Sequence, residues 1–192
     1  MNFVGASIAI TIALASLGCS SLGHHDDWKA SVNHQVNQLG YRNWIVVAEA
    51  SFPAHSRLGV RQVSAHAEVP EVVDYVLNAL ESTQHVRPRI FLTRELRAVE
   101  NDFAPGIDEL RGKIAVSLHG HGPTELDQES LLTLLESANQ SFDVLVIRTP
   151  TALPYSSVFL ELQPGYWDAE SEQRLRARIQ RERMERLARP VP

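Results

Sequence analysis

The chain has one cysteine, Cys19, and therefore forms no intrachain disulfide. It also lacks a basic excess: 18 Lys and Arg against 23 Asp and Glu leave a net charge of −5. That balance argues against a nucleic-acid partner, which needs a positive face. There is no internal repeat and no low-complexity domain. The apolar run at residues 3–17, FVGASIAITIALASL, falls short of the roughly 20 residues needed to cross a bilayer. What is present is ordinary for a globular protein: 192 residues, 44% of them hydrophobic. That is enough chain for one domain with a substantial core and too little to expect two.

The run at residues 3–17 has the length of a signal-peptide core. It ends in Ser16-Leu17-Gly18-Cys19, which resembles a bacterial lipobox, where a small residue precedes the cysteine that becomes the lipidated N-terminus. Met1-Asn2 carries no basic residue, and Ser16 replaces the usual larger aliphatic residue. A plain signal peptide, or an apolar helix packed on the domain, is the alternative. The lipobox reading anchors the protein to the membrane through Cys19 in the cell envelope, and Ser20 suits an outer-membrane destination in a Gram-negative cell. Residues 1–19 are thus expected as signal peptide with lipobox and 20–27 as a polar tether. His24, His25, Asp26 and Asp27 lie next to one another on that tether, which makes a poor preformed metal site.

From residue 28 onward, turn signals separate apolar segments of two periodicities. Trp28, Val32, Val36 and Leu39 form one helical stripe, with Asp26 or Asp27 available to cap its start and Gly40 suited to its end. Residues 44–48, WIVVA, read as a buried strand. Val69-Pro70 opens a second helix with Val73, Val76, Leu77 and Leu80 on its apolar face. Strands are expected at residues 90–93, 113–118, 142–147 and 158–162. The charged segment 94–112 is expected to be irregular, with a helical turn at 107–111. Thr124 or Asp127 starts a further helix with Leu131, Leu134, Leu135 and Ala138 as its stripe. Alternating strands and helices imply a layered α/β domain over residues 28–167, with a largely parallel central sheet flanked by helices. Residues 168–192 read as a charged helical tail, acidic at its start and arginine-rich after it, in keeping with the helix dipole.

Two polar loops follow expected strands. His119-Gly120-His121 offers half of a metal site or groups facing a ligand, but no third ligand stands at a fixed spacing, so neither a metal nor another cofactor is expected. The other loop follows residues 44–48 and carries Glu49, Ser51, His55 and Ser56, with Pro53 stiffening it. Polar groups at the carboxyl end of a strand in an open α/β sheet sit where ligands usually bind.

Residues 39–56, LGYRNWIVVAEASFPAHS, resemble the signature of the ribose pyranase/fucose mutarotase family (RbsD/FucU), with FPAHS nearest the fucose branch. A second block, VLVIRT at 144–149 followed by PYSSVFL at 154–160, is similar to that family's closing pattern. The resemblance spans about residues 30–167 and is weak in the middle. It implies a monosaccharide substrate, a homo-oligomer with pockets near subunit interfaces, and ring opening by proton transfer without metal or cofactor. It assigns catalysis to His55, Glu49 and Tyr155, and sugar contacts to Tyr41, Ser56, Arg148 and Ser157. Histidine suits the chemistry because its unperturbed pKa, about 6.5, lies near working pH. The chain departs from the pattern at Glu49 (Asp in the family), Asn43 (Asp), Ser157 (Asn) and Tyr41, where the family carries a proton-shuttling histidine. With that histidine replaced, the same fold also fits a non-catalytic sugar-binding or sensory lipoprotein, or a ring-forming structural protein of the envelope.

Overall fold

The computed structural model describes residues 27–53 and 59–188. Cys19, the lipobox, His24, His25, His55 and Ser56 lie outside them. Six strands form one sheet among the described residues: β1 Trp44–Ala48, β2 Val60–Ser64, β3 Val86–Thr93, β4 Thr124–Leu126, β5 Val144–Arg148 and β6 Val158–Pro164. Their order is β2-β5-β1-β6-β3-β4. Five strands run in one direction, and β6 is antiparallel to both β1 and β3. The layered, mostly parallel α/β expectation therefore holds, with β6 as the exception.

Every residue of β1 is buried, because the strand lies inside the sheet and both its faces are covered. Alternate residues divide between two cores. Ile45 and Val47, with Leu145, Ile147, Leu160 and Leu162, face α1 (Trp28–Val36), α2 (Val69–Glu81) and α4 (Ile107–Ser117). Trp44, Val46 and Ala48, with Val144, Val146 and Phe159, face Phe52 and Leu131 and Leu135 of α5 (Gln128–Ala138). One side of the sheet is roofed by three helices and the other by a single helix and a loop. Local signals set the helix starts: Asp27 accepts from Ala30 N at 3.2 Å, Asp127 accepts from Ser130 N at 3.2 Å, and Pro70 stands in the first turn of α2.

Several expectations need correction. Residues 113–118 are not a strand: they form the second half of α4 and its C-cap. A strand would bury Ile114, Val116 and Leu118 together, whereas the helix buries Ile107, Leu110, Ile114 and Leu118 and leaves Val116 80% exposed. Asp108 and Glu109 in its first turn and the Glu109–Lys113 pair at 2.7 Å support the helix. The segment expected to be irregular also holds α3 (Arg94–Ala98). The edge strands β2 and β4 were not anticipated. Thr124 belongs to β4, so Asp127 alone caps α5. The tail forms α6 (Ala169–Ala188), which has no buried residue along its length. Asp168 accepts from Ser171 N at 2.6 Å at its start.

The α4 correction has a direct check. Ile114→Asp should lower the unfolding free energy by about 3 kcal/mol or more. Val116→Asp should change it by about 0.5 kcal/mol or less. Urea denaturation of the two variants reads the difference, and equal losses would restore a strand.

Candidate functional site

The carboxyl ends of β1 and β5 lie side by side in parallel register, with Ala48 beside Arg148. The chain leaves both strands there, and β6 enters from the same end after the turn at residues 153–157. Thr149 ties the two exits together: its backbone N and its Oγ1 both donate to Ala48 O at 2.9 Å. Ala50 N donates to Thr151 O at 2.9 Å, and Arg148 Nη1 donates to Ala50 O at 2.9 Å.

Glu49 sits in the middle of this lip and is 8% exposed. Its backbone N donates to Ser157 Oγ at 3.1 Å. Its Oε1 accepts from Ser51 Oγ at 3.0 Å, and its Oε2 accepts from Ser156 N at 2.8 Å and from Ser157 Oγ at 3.4 Å. The Ser156 hydroxyl has one proton, and its nearer acceptor is Leu153 O at 2.7 Å rather than Glu49 at 3.4 Å. A buried carboxylate is costly unless its lone pairs are met, and hydrogen bonds to a charged group are the stronger kind. Both oxygens of Glu49 accept hydrogen bonds from its own chain, so the carboxylate links Ser51 to Ser156 and Ser157 across the lip.

Tyr155 lies in the same turn with φ +59°, a left-handed conformation that a bulky residue adopts only under constraint. Thr93 Oγ1 supplies part of that constraint by donating to Tyr155 O at 2.9 Å. Strained backbone held by its surroundings clusters at functional sites. The structure thus gathers Glu49, Arg148, Tyr155 and Ser157 at one end of the sheet. It does not bring Tyr41 to them. Tyr41 precedes β1, next to Arg42, whose N donates to Leu162 O at 2.8 Å. The whole strand, about 15 Å, separates it from Glu49 within one chain.

Sequence reasoning placed Ser51 in this loop but missed Ser156, Thr93 and Thr151 as parts of the lip. Thr151 is buried, accepts from Val69 N at 3.0 Å and donates to Glu68, which joins the lip to the start of α2. Ser and Thr hydroxyls are common in loops, and only the Ser51 and Ser156-Ser157 positions flanking Glu49 and Tyr155 hinted at a role.

A mixed sheet with β6 inserted against the direction of its neighbours, and a ligand-type lip at the strand ends, defines a recognisable α/β class. The structure is similar to that of RbsD from Bacillus subtilis complexed with D-ribose, with a TM-score of 0.51 and 17% identity over 70% of this chain and 92% of that one. It is also similar to the fucose mutarotase from Streptococcus pneumoniae in complex with L-fucose (TM-score 0.49, 20% identity, 74% and 98% covered). FucU from Bifidobacterium longum gives a TM-score of 0.46 at 17% identity, with 70% and 94% covered. The likeness carried by residues 39–56 and 144–160 thus extends to the fold. No protein-family model matches the chain, and no curated protein matches it significantly.

His119 and His121 do not join the lip. His119 follows α4 with φ +51°, and its ring bridges Asp74 Oδ1 at 2.8 Å and Glu81 Oε1 at 3.2 Å on α2. Hydrogen bonds from its ring N–H groups to these carboxylates raise its pKa above the ordinary value, Asp74 contributing most. A raised pKa means that the imidazolium favours the folded state. That stabilisation is complete below the unfolded value, about 6.5, and fades as pH rises through the higher folded value. His119→Asn keeps a side chain that tolerates this backbone. It should cost about 1 kcal/mol or less near pH 5.5 and nothing near pH 9, read by denaturant melts at both; a pH-independent cost would remove the charge from the account.

Proposed function

We propose that the chain binds a monosaccharide at the lip around Glu49 and interconverts its anomers by acid–base ring opening, with His55 as the principal proton carrier. The observation that carries the reading is the convergence of Glu49, Arg148, Tyr155 and Ser157 at one strand end, from segments about a hundred residues apart. The RbsD-like fold and the FPAHS sequence at residues 52–56 support it. In the reaction, His55 removes the anomeric hydroxyl proton while the Tyr155 hydroxyl donates one to the ring oxygen and the C1–ring oxygen bond breaks; on reclosure both protons return to the groups they came from. Rotation about the C1–C2 bond and reclosure return either anomer, with no net redox change. Glu49 holds Ser156 and Ser157 in position, and Tyr155 and Arg148 border the sugar.

A second reading, binding without catalysis, is favoured by one observation: Tyr41, at the position of the family's proton-shuttling histidine, lies a strand's length from Glu49 within the chain. Saturation-transfer NMR on fucose and ribose separates the two. Accelerated anomer exchange that disappears in His55→Ala supports the enzyme, binding without exchange supports the receptor, and no binding at about millimolar sugar defeats both. The proposal includes a lipid anchor at Cys19, and with it the cell envelope, together with a homo-oligomeric state. Membrane partition that persists in Cys19→Ser would remove the anchor, and a monomer by light scattering would remove the assembly.

A further inference from the structure

Along its 20 residues α6 buries nothing. It is also charged against the rest of the chain: six arginines and four glutamates make it +2, on a remainder of −7. Four of those arginines stand in two rows. At about 100° per residue, Gln173, Ala177, Gln180, Met184 and Leu187 share one stripe. Arg174 and Arg181 border that stripe on one side, and Arg176 and Arg183 border it on the other. Glu172 and Glu185 lie beyond the arginine rows, and Glu182 lies opposite the stripe. Glu170 alone stands on the stripe side, in the first turn, where a carboxylate suits the helix N-terminus.

An open groove of about 1010 Å³ follows the second half of the stripe, lined by Ala177, Gln180, Met184 and Leu187 with Arg181, Arg183 and Glu185 at its edges. Met184 is 67% exposed and Leu187 73% exposed. Arg174 and Arg176 are drawn toward Glu170 and Glu172, at 4.0 Å and 2.6 Å, whereas Arg181 and Arg183 make no ion pair among the described residues. The opposite face mixes Leu175 and Ile179 with charges of both signs, and its Arg178 is paired with Glu182 at 3.0 Å.

This pattern selects a partner by charge and by shape. A second copy of α6 does not fit, because arginine would face arginine in either orientation. A partner helix finds little to interlock with, since glutamine and alanine hold most of the stripe. A flat layer of phosphates does fit. Guanidinium groups donate paired hydrogen bonds to phosphate oxygens, both arginine rows reach such a layer at once, and Met184 and Leu187 enter the headgroup boundary.

We propose that α6 lies along an anionic phospholipid surface with its arginine-bordered face down. The contact rests neither on the sugar reading nor on the Cys19 anchor, so it is tested on the full chain carrying Cys19→Ser, to which no lipid is attached. Binding is read by sedimentation with vesicles of phosphatidylcholine alone, and of phosphatidylcholine and phosphatidylglycerol in equal parts. Residues 3–17 are uncharged, so anything they contribute is common to both vesicles. The expected result is binding at least about tenfold stronger to the anionic vesicles, lost in about 0.5 M NaCl. Arg181→Gln with Arg183→Gln should weaken it about fivefold or more, and Arg178→Gln with Arg186→Gln, an equal change of charge on the opposite face, about twofold or less. Glutamine keeps the helix propensity in both pairs. The proposal is overturned by equal binding to the two vesicles, by equal losses in the two double variants, or by tighter binding to poly-glutamate than to the anionic vesicles, which would make the partner an acidic protein.

Discussion

A single buried carboxylate joins the two halves of the lip. Glu49 continues β1, the strand whose every residue is buried, and its oxygens reach Ser51 on one side and Ser156 and Ser157 on the other. Residues about a hundred positions apart in sequence become neighbours through it. Without an acceptor there, the Ser156 N–H would be buried and unpaired, a loss of about 1–3 kcal/mol. The constrained backbone at Tyr155 is presented by the same turn, so positioning and strain share one support.

Much of the fold was legible because its strongest elements carry unambiguous periodicity. β1 and β5 are short β-branched runs, β6 opens on the apolar run Val158-Phe159-Leu160, and α2 has Val73, Val76, Leu77 and Leu80 on one face together with Pro70 at its start. The failures share a cause: segments whose burial is set by neighbours rather than by their own pattern. Residues 113–118 alternate as a strand does, but the acidic first turn and the packing of Ile107, Leu110 and Ile114 against α2 select a helix. β2 is an edge strand whose pattern is blurred by Arg61, which bonds Gln35, Gln38 and Asp143 across that edge. β4 has three residues, too few for any period to register. At the site, strand-end placement made Glu49 legible. The serines that saturate it and the remoteness of Tyr41 required the register of β1.

The unequal roofing of the sheet explains where the rest of the polar surface goes. Three helices close one face, and α5 with Phe52 closes only the apolar part of the other. The remainder is polar and is covered by no helix among the described residues, and Trp167 brings the start of α6 to its rim. Beyond that rim α6 runs exposed, held by pairs within itself such as Arg176–Glu172 and Arg178–Glu182. The described residues therefore form two dissimilar ends of the sheet: a lip organised by hydroxyls around one carboxylate, and a cleft lined by Arg89 and Glu161 with Tyr41 and Trp167.

Native-state hydrogen exchange at the Ser156 amide tests the clamp most directly, because that N–H donates to Glu49 Oε2 at 2.8 Å in a turn that otherwise lacks regular structure. The account requires this amide to exchange as slowly as the β1 and β5 amides and to lose that protection, by about tenfold or more, in Glu49→Ala. Exchange at the rate of the exposed residues around it in the wild-type chain would show that the carboxylate does not hold the lip together.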